Sequence, residues 1–126
     1  MLAAGTAAGR GKSALLIEKN EKLGKKLYIT GKGRCNLTNF CDCEEFIGHV
    51  PRNPRFLYSA LYAFPPSALY EMLEELGVPL KIERGRRVFP QSDKASDIIK
   101  ALAAYLKNTG VHIRLNTSIT GLERED

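Results

Sequence analysis

Fifteen residues, Lys25 to Asn39 (KKLYITGKGRCNLTN), hold most of the side chains that could do chemistry on an anion. Gly31 and Gly33 let the backbone turn tightly and approach a ligand closely. Lys26, Lys32 and Arg34 supply positive charge, and Thr30, Asn36, Thr38 and Asn39 supply small polar groups. Successive backbone N–H groups in such a turn form an anion-binding nest, and Arg34 could offer a phosphate oxygen a forked pair of donors. The spacing is not that of a P-loop, because GxxxxGK[ST] is absent. A tight connection with satisfied side chains accounts for the same residues equally well. Either way the stretch is expected to form one loop.

The residues before it must position it. Leu2 to Arg10 is rich in alanine, with Gly5 and Gly9 four apart, and predicts a closely packed helix ended by Gly9-Arg10-Gly11-Lys12. Ser13 to Ile17 then predicts a buried strand, and Glu18 stands at its end. A helix feeding such a strand is half of a βαβ unit, with the small residues of the helix packed on the sheet. In dinucleotide folds an acid at the end of the second strand hydrogen-bonds the adenosine ribose. The first strand and glycine-rich turn of that unit would precede Met1.

Charge agrees with an anionic ligand in the first third. Arg10, Lys12, Lys19, Lys22, Lys25, Lys26, Lys32 and Arg34 face only Glu18 and Glu21, a local balance of +6 within a net +5. A dinucleotide pyrophosphate or a nucleic acid would fit that sign, as would a solvated basic face with no partner. At 126 residues, 44% of them apolar, the chain is expected to be one domain. No apolar run approaches the ~20 residues that span a bilayer, and the N-terminus lacks the order of a signal peptide, so a cytoplasmic location is expected. Cys35, Cys41 and Cys43 are odd in number and crowded, which suggests no disulfide framework. Cys41, Cys43 and His49 lack zinc-site spacing, so no metal is expected and Phe40 to Arg55 reads as an exposed loop.

The remaining chain predicts supporting elements. Phe56 to Phe64 reads as a short helix with Phe56, Leu57, Ala60, Leu61 and Phe64 on one buried side, broken by Pro65-Pro66. A second helix begins near Ser67, buries Leu69, Met72, Leu73 and Leu76, and ends at Gly77. Leu80–Glu83 and Arg87–Phe89 read as a hairpin turning at Arg84-Gly85-Arg86. A helix N-capped by Ser92 or Asp93 buries Ile98, Ile99, Leu102, Ala103 and Leu106. Val111 to Leu115 reads as a strand with Val111, Ile113 and Leu115 inward, and Ile119 to Glu123 begins another. Ser13–Ile17 and Val111–Leu115 are expected side by side and parallel. His112 has no assigned chemistry.

Residues 3–39, AAGTAAGRGKSALLIEKNEKLGKKLYITGKGRCNLTN, resemble the start of a family of FAD-dependent flavoproteins. That family is grouped with bile-acid dehydro-reductase-like and aminoacetone-oxidase-like enzymes. The resemblance continues through Arg55-Phe56-Leu57, Leu76-Gly77-Val78-Pro79, Arg87-Val88-Phe89-Pro90, Ser92-Asp93-Lys94-Ala95 and Gly110-Val111. It implies an α/β fold over residues 1–126: a partial Rossmann-like FAD-binding domain, a parallel sheet with flanking helices, lacking its first strand and glycine-rich turn. It implies that Glu18, with Lys19, serves the adenosine ribose. Lys26, Gly31, Gly33, Arg34, Cys35 and Asn36 would lie along the pyrophosphate, ribityl and flavin side, with Thr38 close by. Cys35, without a C-x-x-C partner, reads as a small residue packed near the cofactor. The implied activity is that of a flavin-dependent oxidoreductase, with NAD(P)H as a candidate electron donor and an unidentified small-molecule substrate. No general acid or base is assigned. The chain alone is expected to bind FAD poorly, to be inactive, and to self-associate through the open edge of Ser13–Ile17. Two other classes stay open: a basic nucleic-acid-binding module, disfavoured because the cations sit apart from the aromatics, and a non-enzymatic truncated fragment.

Overall fold

The computed structural model describes residues 1–123. In chain order the elements are α1 (Leu2–Gly9), β1 (Leu15–Ile17), α2 (Lys25–Ile29), a 3₁₀ turn (Thr30–Gly33), β2 (Thr38–Asn39) and α3 (Cys43–Gly48). A second 3₁₀ turn (Pro54–Leu57) leads into α4 (Tyr58–Ala63) and α5 (Pro66–Glu75). Then follow β3 (Leu80–Glu83), a 3₁₀ turn (Arg84–Arg86), β4 (Arg87–Pro90), α6 (Ala95–Asn108) and β5 (His112–Arg114). The chain divides into two compact units, residues 1–25 with the chain from Leu102 onward, and Lys26–Ala101. This is a mixed α/β, Rossmann-like topology with one parallel and one antiparallel sheet.

The first unit carries the parallel pair expected from the sequence. Leu15, Leu16 and Ile17 pair with His112, Ile113 and Arg114. The ladder extends beyond both ends, from the His112 N–H to the Ala14 carbonyl and from the Glu18 N–H to the Arg114 carbonyl. The glycines of α1 have a specific cause. Gly5 is buried, and a Cβ there would sit 2.1 Å from Cε1 of Tyr105, while one at Gly9 would meet Thr109 at 3.8 Å. Two positions four apart on α1 therefore receive Tyr105 of α6 and Thr109 just past its end. The small-residue face expected against a sheet lies on a helix instead. Gly11 takes the left-handed conformation (φ 75°) that ends α1.

The strands of this unit are less buried than expected. Leu15 is 51% exposed, and Ile113 and Leu115 are also exposed, because two strands cannot cover their own faces or edges. No strand forms over Ile119–Glu123. After Asn116 turns at φ 52°, N–H bonds from Asn116 to the Asn20 carbonyl and from Thr117 to the Glu18 carbonyl tie the chain back.

The second unit is built on an antiparallel sheet in the order β2-β4-β3, so the expected parallel sheet is confined to the β1–β5 pair of the first unit. The β3–β4 hairpin forms as predicted, Leu80 opposite Pro90 and Glu83 opposite Arg87, with Gly85 at φ 74° in its turn. The buried residues of this unit include Leu80, Val88 and Phe89 of the sheet, Leu73 of α5 and Val78 just past its end, and Ala95, Ile98 and Ala101 of α6. The end of α5 follows the expected pattern, with Gly77 left-handed (φ 81°) and the Val78 N–H returning to the Leu73 carbonyl. Along α5 only Pro66 and Leu73 are fully buried; Leu69, Met72 and Leu76 are half-buried.

Four local expectations are corrected here. Lys25–Asn39 is not one loop but a helical turn, a 3₁₀ turn and a strand. Phe40–Arg55 contains α3, which Asp42 caps by accepting from the Glu45 N–H at 2.8 Å, with Glu44 and Glu45 in its first turn. The helix expected over Phe56–Phe64 begins only at Tyr58, and Phe56 and Phe64 point outward rather than into the core. Neither Ser92 nor Asp93 is the N-cap of α6. Ser92 Oγ meets the Lys94 N–H before the helix starts, and the Asp93 carboxylate is taken by other partners.

Candidate functional site

Glu18 lies at the carboxyl ends of both parallel strands, where open α/β sheets place their ligands. A cleft of about 400 Å³ opens there, lined by Ile17, Glu18, Lys19, Thr117, Ser118 and Ile119. The turn after β1 shapes the acid. The Asn20 backbone N–H donates to Glu18 Oε1 at 2.8 Å and the Asn20 side-chain amide donates to the same oxygen at 2.5 Å. These bonds, the backbone one first, hold the Glu18 carboxyl below the ordinary carboxylate value. The group is therefore an ionised, acceptor-only carboxylate, and among the described residues Oε2 has no protein donor. Paired ribose hydroxyls, which need acceptors, suit that arrangement. Lys19 and the Ser118 hydroxyl add donors on the cleft's rim, whereas the Thr117 hydroxyl donates to the Leu115 carbonyl at 2.9 Å.

Seven other predicted residues lie in the second unit, on or beside the Thr30–Gly33 turn. Lys26 is exposed in the last turn of α2. Gly31 has φ 57°, and a Cβ there would lie 2.8 Å from the Asn36 nitrogen and 2.9 Å from Phe89 Cε1. Gly33 has φ 88° with nothing within 4 Å of a Cβ. Gly31 is thus required by the protein's own packing, whereas Gly33 leaves backbone facing open space, as close approach of a ligand needs. Lys32 and Cys35 hold left-handed backbone at φ 58° and 61°, a sparsely populated state for side chains that surrounding structure must enforce. The Cys35 N–H donates to the Thr30 carbonyl at 3.1 Å. Thr38 pairs with Val88 in β2.

Arg34 occupies a place the sequence did not show. Its Nε donates to Asp93 Oδ1 at 2.7 Å, and its Nη2 bridges Glu83 and Asp93. Lys81 also reaches Asp93, at 2.7 Å. The guanidinium lies 4.2 Å from the centre of the Phe89 ring. Two cations and two carboxylates thereby fasten the glycine turn to the hairpin, and Arg34 is a clasp whose Nε and Nη2 are already engaged. Burial pushes the Cys35 thiol up against the smaller opposing effect of the Thr30 hydroxyl, which is the state of a packed thiol and not of a nucleophile. Sequence reasoning missed Asn20, Glu83 and Asp93. Asn20, a turn-favouring residue just after β1, was a usable signal for the first, and nothing local marked the other two.

One unit carries a parallel strand pair with an ionised acid at its carboxyl ends, and the other carries a glycine turn whose backbone at Gly33 is open; both are features of the Rossmann-like, dinucleotide-binding class of fold. Over residues 1–126 the chain matches the family model described as the HI0933-like protein Rossmann domain, and it belongs to that family. It is 31% identical over 108 residues to the 3-dehydro-bile acid delta(4,6)-reductase of Clostridium scindens, covering 86% of this chain and 26% of that protein. It is 26% identical over 126 residues to the ribosomal RNA dihydrouridine synthase of Escherichia coli, covering 100% of this chain and 31% of the relative. The Haemophilus influenzae protein of the same name is 27% identical over 115 residues, covering 90% of this chain and 28% of its own length. The chain therefore spans between a quarter and a third of the curated relatives it matches. The family link is to FAD/NAD(P)-dependent, oxidoreductase-like Rossmann domains. Among the described residues no helix is long and apolar enough to cross a membrane.

Proposed function

We propose that these 126 residues are an incomplete FAD-binding domain of a flavin-dependent reductase. The observation that carries this reading is the ionised Glu18 carboxylate in a cleft at the carboxyl ends of β1 and β5. In it Glu18 accepts from the adenosine ribose and Lys19 lies beside it. The backbone around Gly33, with Lys26, Cys35, Asn36 and Thr38 about it, serves the pyrophosphate and flavin side. Gly31 and Arg34 act one step back: the first lets the turn close on Asn36 and Phe89, the second pins the turn to Glu83 and Asp93.

Bound flavin, once reduced by NAD(P)H as the candidate electron donor, would supply the hydride. The names of the relatives agree on the reaction class. A delta(4,6)-reductase and a dihydrouridine synthase both add two hydrogens across a carbon–carbon double bond conjugated to a carbonyl. No side chain of this chain is assigned as the proton donor, so the activity is placed in the whole flavoprotein and not in this chain alone. Self-association through the open edges of the β1–β5 pair belongs to the same reading.

The test is equilibrium titration of FAD into the flavoprotein carrying Glu18→Ala, with Glu21→Ala as the exposed control. Loss of charge-assisted hydrogen bonds should raise the Kd about tenfold or more for Glu18→Ala and leave the control unchanged. Equal affinities would remove Glu18 from the site.

A further inference from the structure

Residues 46–70 hold six of the chain's ten aromatic side chains and not one acid. In the structure four of these six rings lie at the surface. Phe56 is 79% exposed, Tyr62 53%, Tyr58 46%, and Phe64 is exposed as well. Tyr58 and Tyr62, one turn apart on α4, stack with ring centres 6.0 Å apart and planes within 5°. Arg52 and Arg55, on the 3₁₀ approach to α4, are exposed and enter no ion pair among the described residues. The acid at this surface is Glu44 of α3, which accepts from the Tyr62 hydroxyl at 2.5 Å and so helps hold that ring parallel to Tyr58.

We infer that the Arg52–Phe64 surface binds single-stranded nucleic acid, with bases stacked on Phe56, Tyr58 and Tyr62 and phosphates on Arg52 and Arg55. Flat aromatic faces are common to all bases as partners, and arginines beside them track the backbone. A purely apolar partner would leave both arginines uncompensated, and a polyanion without bases would leave the exposed rings in water. The cations of the first third had pointed to a polyanion away from the aromatics; here the two chemistries meet in one segment. The inference does not depend on the flavin reading, because Glu18→Ala leaves this surface intact.

Fluorescence anisotropy with a labelled twelve-residue oligouridylate tests it, at low and moderate salt, with oligothymidylate of equal length and the corresponding duplex as further arms. The wild-type chain should bind the single strands and bind duplex more weakly; stronger binding of RNA than of DNA would mark RNA as the source. Tyr58→Ala with Tyr62→Ala should weaken binding about tenfold or more. The log–log salt dependence should stay as it was. Arg52→Ala with Arg55→Ala should weaken binding and flatten that slope by about 1.4, since each phosphate contact on a single strand contributes ~0.7. Glu44→Gln, which keeps an acceptor and removes a charge, should tighten binding at low salt. All five side chains are exposed, and unchanged far-UV circular dichroism would show that the variants fold. Absence of binding by the folded wild-type chain would overturn the inference. So would preference for duplex, or a salt slope unaffected by removing both arginines. Dimers abolished by the tyrosine pair and indifferent to oligouridylate would assign the surface to a second copy and overturn it as well.

Discussion

Replacing Gly31 by alanine should destabilise the second unit far more than the same change at Gly33. Both positions have left-handed backbone, at φ 57° and 88°, which costs a side-chain-bearing residue roughly 1–2 kcal/mol. They differ in what the new methyl meets. At Gly33 it enters open space. At Gly31 it lies 2.8 Å from a backbone nitrogen and 2.9 Å from Phe89. Phe89 is 2% exposed and has the Arg34 and Arg87 guanidinium groups over its ring at 4.2 and 5.7 Å. It cannot yield cheaply, so an overpacking cost of about 1–3 kcal/mol is added. The totals are about 2–5 kcal/mol for Gly31→Ala and about 1–2 kcal/mol for Gly33→Ala. With a urea m-value of about 1.5 kcal/mol/M, the midpoint followed by circular dichroism should fall by about 1–3 M and by about 1 M respectively. Hydrogen exchange gives a local check, because the Cys35 N–H bonds the Thr30 carbonyl across this turn and should lose protection only in Gly31→Ala. Equal midpoints for the two variants would refute the packing argument.

Three further outcomes follow from named contacts. Gly5→Ala places a methyl 2.1 Å from the Tyr105 ring and should cost about 1–3 kcal/mol; the double change Gly5→Ala, Tyr105→Leu should recover part of it in thermal melts. Glu18 has its folded pKa lowered by Asn20 from an ordinary 4.5, so its stabilising effect is present above that value and is lost as pH falls through the folded one. Glu83 is lowered by Arg34, Asp93 by Lys81 and then Arg34, and Asp97 by Ser92, so acid should weaken wild type and Glu18→Gln alike. The difference between the two should nevertheless shrink below pH 4.5, and a gap independent of pH would contradict the assignment. In the flavoprotein, Arg34→Ala should weaken FAD binding chiefly by loosening the turn, so Glu83→Gln with Asp93→Asn should reproduce most of the loss in a titration. If the carboxylate pair has no effect while Arg34→Ala does, Arg34 touches the cofactor directly.

What could be read from the chain depended on how local the cause was. The β3–β4 hairpin and the Gly77 stop were legible because turn glycines and short apolar runs act within a few residues. The parallel pairing of β1 and β5 was legible from fold-level reasoning about βαβ units, though 94 residues separate Ile17 from His112. Gly5 and Gly9 announced close packing, but not that α6 would be the partner. Asp42 with Glu44 and Glu45 carries the local capping signal of α3, which the crowded cysteines on either side obscure. Exposure was the hardest quantity. Phe56 and Phe64 carry the residue types of a core, and only tertiary packing decides that they face water. At the site, Glu18 was legible from its place after an apolar run. The role of Arg34 was not, because Glu83 and Asp93 lie 49 and 59 positions away.

The central claim is that the cleft at Glu18 receives the adenosine end of a dinucleotide. Two-dimensional ¹H–¹⁵N spectra of the 126-residue chain, recorded while adenosine monophosphate and then FAD are added, test it even if affinity is only millimolar. Saturable shifts should appear at Glu18, Lys19, Asn20, Thr117 and Ser118, and they should vanish in Glu18→Ala while the amides of α5 stay still. Shifts spread over both units without saturation, or saturable shifts that survive Glu18→Ala, would contradict the account.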